Sequence, residues 1–190
     1  MAQIKKDEVR TNILHAAEAL FRERGYNDTT MTAIAEAAAV SKSNIYVYFA
    51  SKLEIVWALS DSWLRESFDR LEASAQAIPK KQEQLRFLFR ALWCDLPADR
   101  DNFANNIMQA LTTTTENDSY SRELLAICEA RFAGLLANAL GTSVANTRAP
   151  AHIALKAFDG YAIAHNLGSG AGAAAAASDA MADLLLDRYG

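Results

Sequence analysis

Proline and glycine are scarce in this chain, 3 and 8 of 190 residues. So few chain breakers point to a helical globular protein, and no strand pattern follows residue 52. The two cysteines, Cys94 and Cys128, stand 34 residues apart and match no zinc-ligand spacing. Both sit among apolar residues and read as buried free thiols, with a redox switch as the alternative. No apolar run reaches the ~20 residues that span a bilayer. Met1 to Glu8 lacks the apolar core of a signal peptide, so a cytoplasmic protein with no membrane partner is expected. The three histidines (His15, His152 and His165) fall in separate helices without an obvious Cys or Ser partner. G-x-S-x-G, H-E-x-x-H and a Gly-rich phosphate loop are missing, since Gly168 to Gly172 follows a helix. An enzyme reading keeps only an unlocalised pairing of His165 with Cys94 or Cys128. No catalytic residue, cofactor or metal site is expected.

What the chain does have is apolar residues, 51% of the total, and enough length to bury a core in one large or two small domains. Its net charge of −4 argues at first against a nucleic-acid partner. The charge is unevenly spread, however. Residues 1–52 carry 7 Lys and Arg against 6 Asp and Glu, and residues 53–190 carry 12 against 17. The N-terminal end is thus the side that suits an anionic partner.

Residues 30 to 54 carry the sharpest pattern. Met31 to about Ala38 reads as a short helix with Ile34, Ala35 and Ala38 on one face, capped by Thr30. Ser41 caps a second helix in which Ile45 and Phe49 face inward. Lys42, Ser43, Asn44, Tyr46, Val47 and Tyr48 are left for its remaining surface. Ser51-Lys52-Leu53-Glu54 is a capping box that starts a third helix. Two short helices joined tightly in this way form a helix-turn-helix, whose second helix enters the DNA major groove. Ser43 and Asn44 suit base edges, and Tyr46 offers a stacking surface. Lys42 and Lys52 suit phosphates. A solvated helical hairpin is the alternative; three consecutive caps and the lack of any acid between residues 41 and 52 weigh against it. Upstream, Ile13, Ala17, Leu20 and Phe21 mark a helix from about Asp7 to Arg24, ended by Gly25.

The string from Ala38 to Lys52, AAVSKSNIYVYFASK, resembles the DNA-binding signature of the TetR (tetracycline-repressor-like) transcriptional regulators. The resemblance covers roughly residues 7 to 60. It implies an all-α fold with a three-helix DNA-binding domain over residues 1–50 and a helical effector-binding and dimerisation domain over 51–190. The implied DNA-binding set is Thr30, Thr32, Ser41, Lys42, Ser43, Asn44, Tyr46, Val47, Tyr48 and Lys52. Where the family has a turn glycine, this chain has Ala39. A Cβ disfavours positive φ, so a different turn backbone is expected there. Ser43-Asn44 and Val47 also depart from the family's usual Gly-Thr and polar residue, so the operator sequence is not transferable.

Six helical patterns fill the body. A helix from Lys52 to about Gln76 carries Trp57, Trp63, Phe68 and Leu71. The next shows Leu85, Leu88, Phe89, Leu92 and Leu96 and stops at Pro97. A shorter one holds Phe103, Ile107, Ala110 and Leu111, followed by a loop over Thr112 to Asp118. From about Ser119 to Leu140 the stripe is Leu125, Cys128, Phe132, Leu135 and Leu136. Thr142 to Ala149 reads as a mobile connection. The last two helices, Pro150 to about Leu167 and Ala173 to Tyr189, are rich in small residues. Ile153, Ala157, Gly160 and Ala164, with Ala177, Met181, Leu184 and Leu185, form candidate faces for a four-helix bundle between two chains. The resemblance implies the same homodimer, with two recognition helices reading a near-palindromic double-stranded operator with half-sites ~34 Å apart.

The resemblance also implies a small-molecule effector held among the C-terminal helices. Trp57, Trp63, Phe87, Trp93, Phe103, Met108, Phe132, Phe158, Tyr161 and His165 are the candidate lining. Their character points to a largely hydrophobic effector whose polar end meets Tyr161 or His165. The expected protein is a homodimeric repressor released by that effector through a tilt of the helix from Lys52. A non-enzymatic helical interaction module and a helical Cys/His enzyme are the competing classes.

Overall fold

The computed structural model describes residues 2–98, 103–114 and 122–189, and no strand occurs among them. The helices are α1 (Ala2–Asp28), α2 (Met31–Ala37), α3 (Lys42–Tyr48), α4 (Lys52–Gln76), α5 (Lys81–Arg90), α6 (Phe103–Thr112), α7 (Arg122–Leu140), α8 (Val144–Asn166) and α9 (Ala171–Tyr189). A π-helical turn, Ala91–Asp95, extends α5. Of the expected loop over Thr112 to Asp118, Thr112 instead ends α6, and Thr115 to Asp118, with the helix start at Ser119, lie outside the described residues.

The chain divides into two compact units, Met1–Trp63 with Arg100–Tyr120 and Leu64–Asp99 with Ser121–Gly190. These units are defined by packing, whereas the expected division at residue 50 is one by function. In the first unit α6 joins α1, α2, α3 and the start of α4. Ile13, Ala17, Phe21, Ile34, Ile45, Phe49 and Ile55 make its core, with Ala110 from α6. Asn106 of α6 donates its Nδ2 to the Phe21 carbonyl at 3.2 Å. α1 starts earlier than its apolar stripe indicates, and Gly25 breaks it with φ 79°, followed by one further turn.

The second unit is built around a cluster of rings in tilted and edge-to-face contact. Phe89 lies 5.0 Å from Trp93 and 5.8 Å from Phe132, centroid to centroid. Trp93 also lies 5.3 Å from the Tyr161 ring and donates its indole N–H to the Ala154 carbonyl at 2.8 Å. The π-turn holds Trp93 in this cluster: the Leu96 N–H reaches back five residues to the Ala91 carbonyl.

Three expectations are corrected here. Residues 144–149 are helical, so Pro150 lies inside α8 and does not begin it. Proline removes the N–H that would bond to the Asn146 carbonyl. That carbonyl accepts instead from the Tyr189 hydroxyl of α9 at 3.1 Å. Buried Thr147, donating to the Ala133 carbonyl at 2.7 Å, pins the same turn to α7. At the start of α7 Leu124 faces inward and Leu125 faces out, while Leu135 and Leu136 are buried as expected. Of the thiols, Cys128 is buried but Cys94 is only half-buried.

Candidate nucleic-acid interface

Both caps of the helix-turn-helix form as side-chain hydrogen bonds. Thr30 Oγ1 accepts from the Ala33 N–H and Ser41 Oγ accepts from the Asn44 N–H, each at 3.1 Å. Each hydroxyl satisfies one of the amides that a helix start leaves unpaired. The third cap differs from the expected box. Ser51 Oγ accepts from the Glu54 N–H at 3.2 Å, but the Glu54 carboxylate reaches past Ser51 to the Ala50 N–H at 2.6 Å. Glu54 thereby ties the end of α3 to the start of α4.

The turn between α2 and α3 corrects another expectation. Ala39 does adopt positive φ, 54°. Its N–H donates to the Glu36 carbonyl at 3.1 Å, and the Val40 N–H donates to the Ala35 carbonyl at 2.9 Å. This 5→2 and 6→1 pairing is a Schellman ending, with alanine in the position that glycine usually takes. The left-handed region costs a Cβ-bearing residue about 1–2 kcal/mol, and glycine's larger unfolded-state entropy offsets part of any gain. Ala39→Gly is therefore expected to raise stability by about 0.5–1 kcal/mol in urea unfolding. A loss of stability would show that the turn is not strained.

On α3, Ile45 and Phe49 are buried, whereas Lys42, Ser43, Tyr46 and Val47 are exposed. Asn44 and Tyr48 are half-buried. The Ser41 and Ser43 hydroxyls are 3.1 Å apart, which fixes the first turn. Thr32 is exposed on α2, next to the Thr30 cap. The outward face of α3 thus combines one cation, hydroxyls, an amide and a phenol without a carboxylate. Arg10 lies on α1, with its guanidinium 5.1 Å from the centre of the Phe49 ring at the end of α3. Only tertiary packing brings these two together.

The ammonium of Lys52, the expected phosphate ligand, turns to backbone carbonyls at residues 26, 27 and 29. Burial pushes its pKa below the ordinary lysine value, against the opposing pull of the Asp28 carboxylate.

The effector candidates do not gather in one place. Trp57, Trp63, Phe103 and Met108 belong to the first unit, where the Trp63 and Phe103 rings meet at a tilt, 5.3 Å apart. Trp93, Phe132 and Phe158 are buried in the second unit, and Tyr161 covers Trp93. His165 is exposed, on the outer side of α8. Trp63 packs on Phe103 and Trp93 on Tyr161, so these rings are partners of one another. A cleft of about 290 Å³ instead opens between Ser67, Arg70 and Leu71 of α4 and Phe87, Ala91 and Leu96. Phe87 is the one residue it shares with the expected set.

The dimer candidates separate by burial. Ile153 and Leu184 are exposed, and Ala157, Ala164, Ala177 and Met181 are half-buried. Gly160 faces open space: nothing lies within 4 Å of where its Cβ would be. Leu185 is the correction, at 6% exposure part of the chain's own core. Ile163 and Leu167, the latter 74% exposed, extend this apolar face and were missed.

Among the described residues no three His, Cys, Asp or Glu side chains form a metal-binding group, and no helix is long and apolar enough to cross a membrane.

Residues 13–59 match the family model of bacterial regulatory proteins, tetR family. The HTH-type transcriptional regulator TtgR of Pseudomonas putida is 43% identical over 70 residues, 37% of this chain and 33% of that protein. The HTH-type transcriptional activator FasR of Mycolicibacterium smegmatis is 30% identical over 130 residues, 68% of this chain and 42% of that protein. The chain thus spans about a third to two fifths of the length of these curated relatives. A solved TetR-family transcriptional regulator from Pectobacterium atrosepticum superposes with a TM-score of 0.75 at 21% identity, covering 98% of this chain and 96% of that one. At that identity the likeness is one of fold.

Proposed function

This chain belongs, by its residues 13–59, to the tetR family of bacterial regulatory proteins, and on that premise we propose that it is a cytoplasmic, non-enzymatic DNA-binding regulator that works as a homodimer. One observation carries the reading. A Ser41-capped helix directs Ile45 and Phe49 inward and presents Lys42, Ser43, Tyr46 and Val47 outward with no acid among them. The domain assignment stays as residues 1–50 for DNA and 51–190 for effector and dimer.

The bases are read by Asn44 and Tyr46, and Lys42 meets phosphate. Asn44→Ala is expected to lose about 1–3 kcal/mol at one operator position and to leave the salt slope nearly unchanged. Quantitative binding to operators permuted at each position checks this. Equal losses at every position would remove Asn44 from base reading.

The second copy docks on the exposed faces of α8 and α9, and each copy brings one α3 to the duplex. The regulator is a repressor, and a largely apolar small molecule releases it. The cleft beside Leu71, Phe87 and Leu96 suits such an effector, with Arg70 and Ser67 for a polar end. Its α4 wall makes α4 the lever. Arg131 of α7 grips that helix within the second unit through Asp69 at 2.7 Å and Glu72 at 3.1 Å. Burial opposes the charge of Arg131, but those two carboxylates outweigh it and raise the pKa. An effector that biases α4 between two settings changes DNA affinity by its differential binding to them. A promoter-reporter comparison with and without the chain tests the sign. Lower expression with the chain supports repression, and higher expression makes it an activator.

A further inference from the structure

Between the break at Gly25 and the cap at Thr30, the α1–α2 corner presents backbone carbonyls outside the regular helical ladder. Lys52, the first residue of α4, takes up three of them. Its Nζ donates to the carbonyl oxygens of Tyr26 at 2.5 Å, Thr29 at 2.7 Å and Asn27 at 3.4 Å. An ammonium group has three N–H donors, and here all three have acceptors. The same nitrogen stands 4.1 Å from the centre of the Tyr26 ring, a cation–π contact. Other side chains hold the corner as well. Thr29 Oγ1 donates to the Gly25 carbonyl at 2.8 Å, and Gln109 of α6 accepts from the Asn27 N–H at 3.2 Å. The corner runs through Thr30 into α2, and the Schellman turn at Ala39 joins α2 to α3. The setting of the recognition helix therefore depends on this corner.

We infer that Lys52 is a positioning residue for DNA recognition, acting through the α1–α2 corner, and not a phosphate ligand. The inference rests on the proposed DNA-binding function for its affinity readout alone. Its geometry reverses what the position of Lys52 in the sequence implies, because a phosphate would have to displace carbonyls that already use every donor. It also makes Lys52 irreplaceable by arginine. A guanidinium binds phosphate as well as an ammonium or better, but its planar fork does not match three carbonyls grouped around one point.

The test compares Lys52→Met and Lys52→Arg with the wild-type chain on an operator fragment and on random DNA across a salt series. Both variants are expected to lose about tenfold in operator affinity, one good base contact's worth. Affinity for random DNA and the salt slope should hold. Equal losses on both DNAs with a slope flatter by about 2 units per dimer, or an arginine variant that binds like wild type, would overturn the inference. Hydrogen–deuterium exchange of the free chain supplies an arm independent of DNA. Amides of residues 26–33 should exchange faster in Lys52→Arg while those of α9 do not change, and unaltered exchange in the corner would overturn the inference too. A wild-type chain without any DNA preference would sink the proposed function and leave the exchange arm to decide the role of Lys52.

Discussion

Gly160→Leu should leave the monomer at least as stable as before and yet break the dimer. Gly160 lies mid-helix in α8 with open space where a side chain would begin. Replacing it with leucine removes a helix-propensity penalty of roughly 1 kcal/mol. In a two-fold interface the same leucine enters twice. Overpacking of about 1–3 kcal/mol per site then becomes about 2–6 kcal/mol per dimer, or about 30-fold to 10⁴-fold in the dimer constant. Operator affinity should fall with it, because one head alone makes half the contacts. Sedimentation at several concentrations gives the constant, and thermal unfolding reports the monomer. An unchanged dimer would move the interface away from the face of Ile153, Gly160, Ile163 and Leu184.

Trp93→Ala should be the most damaging single change to the fold. Trp93 is 3% exposed, packs against the Phe89 and Tyr161 rings, and donates to the Ala154 carbonyl. Truncating a buried tryptophan costs about 3–5 kcal/mol, and the lost indole hydrogen bond is part of that cost. Trp93→Phe keeps a ring but drops the indole donor, so it should recover most of the loss. Urea unfolding of the two variants separates packing from hydrogen bonding. A cost under about 1 kcal/mol for the alanine variant would mean that the ring cluster does not hold α8 in place. Such a loss also reaches function, since α8 carries half of the proposed dimer face.

The N-terminal third was legible because its signals are local. Thr30, Ser41 and Ser51 cap within three or four residues, and the spacing of Ile45 and Phe49 declares which side of α3 is inward. Misreadings cluster where tertiary contacts override local rules. Ala39 accepts a strained φ because α2 and α3 are packed on one core. Pro150 sits inside a helix because Tyr189, forty residues on, satisfies the carbonyl it frees. Adjacent leucines hide helical phase: Leu124 and Leu125, or Leu184 and Leu185, are interchangeable in a sequence, but one of each pair is core. Lys52 carries the same lesson for function. Its place beside a cap suggests phosphate, and only the fold reveals the carbonyls that occupy it. Aromatic residues told least about an effector, because a ring in a core and a ring in a pocket look alike until their neighbours are known. Phe132 and Phe158 proved to be core, while the opening lies beside Phe87.

The most direct test of the chain as a DNA reader is selection from random duplex DNA with the full chain, followed by footprinting of the winners. A dimeric helix-turn-helix predicts a near-palindromic consensus with half-sites about one helical turn, ~34 Å, apart and two chains bound per site. Affinity should fall steeply with salt. Selected pools no better bound than the starting library, or bound with no dependence on salt, would contradict it.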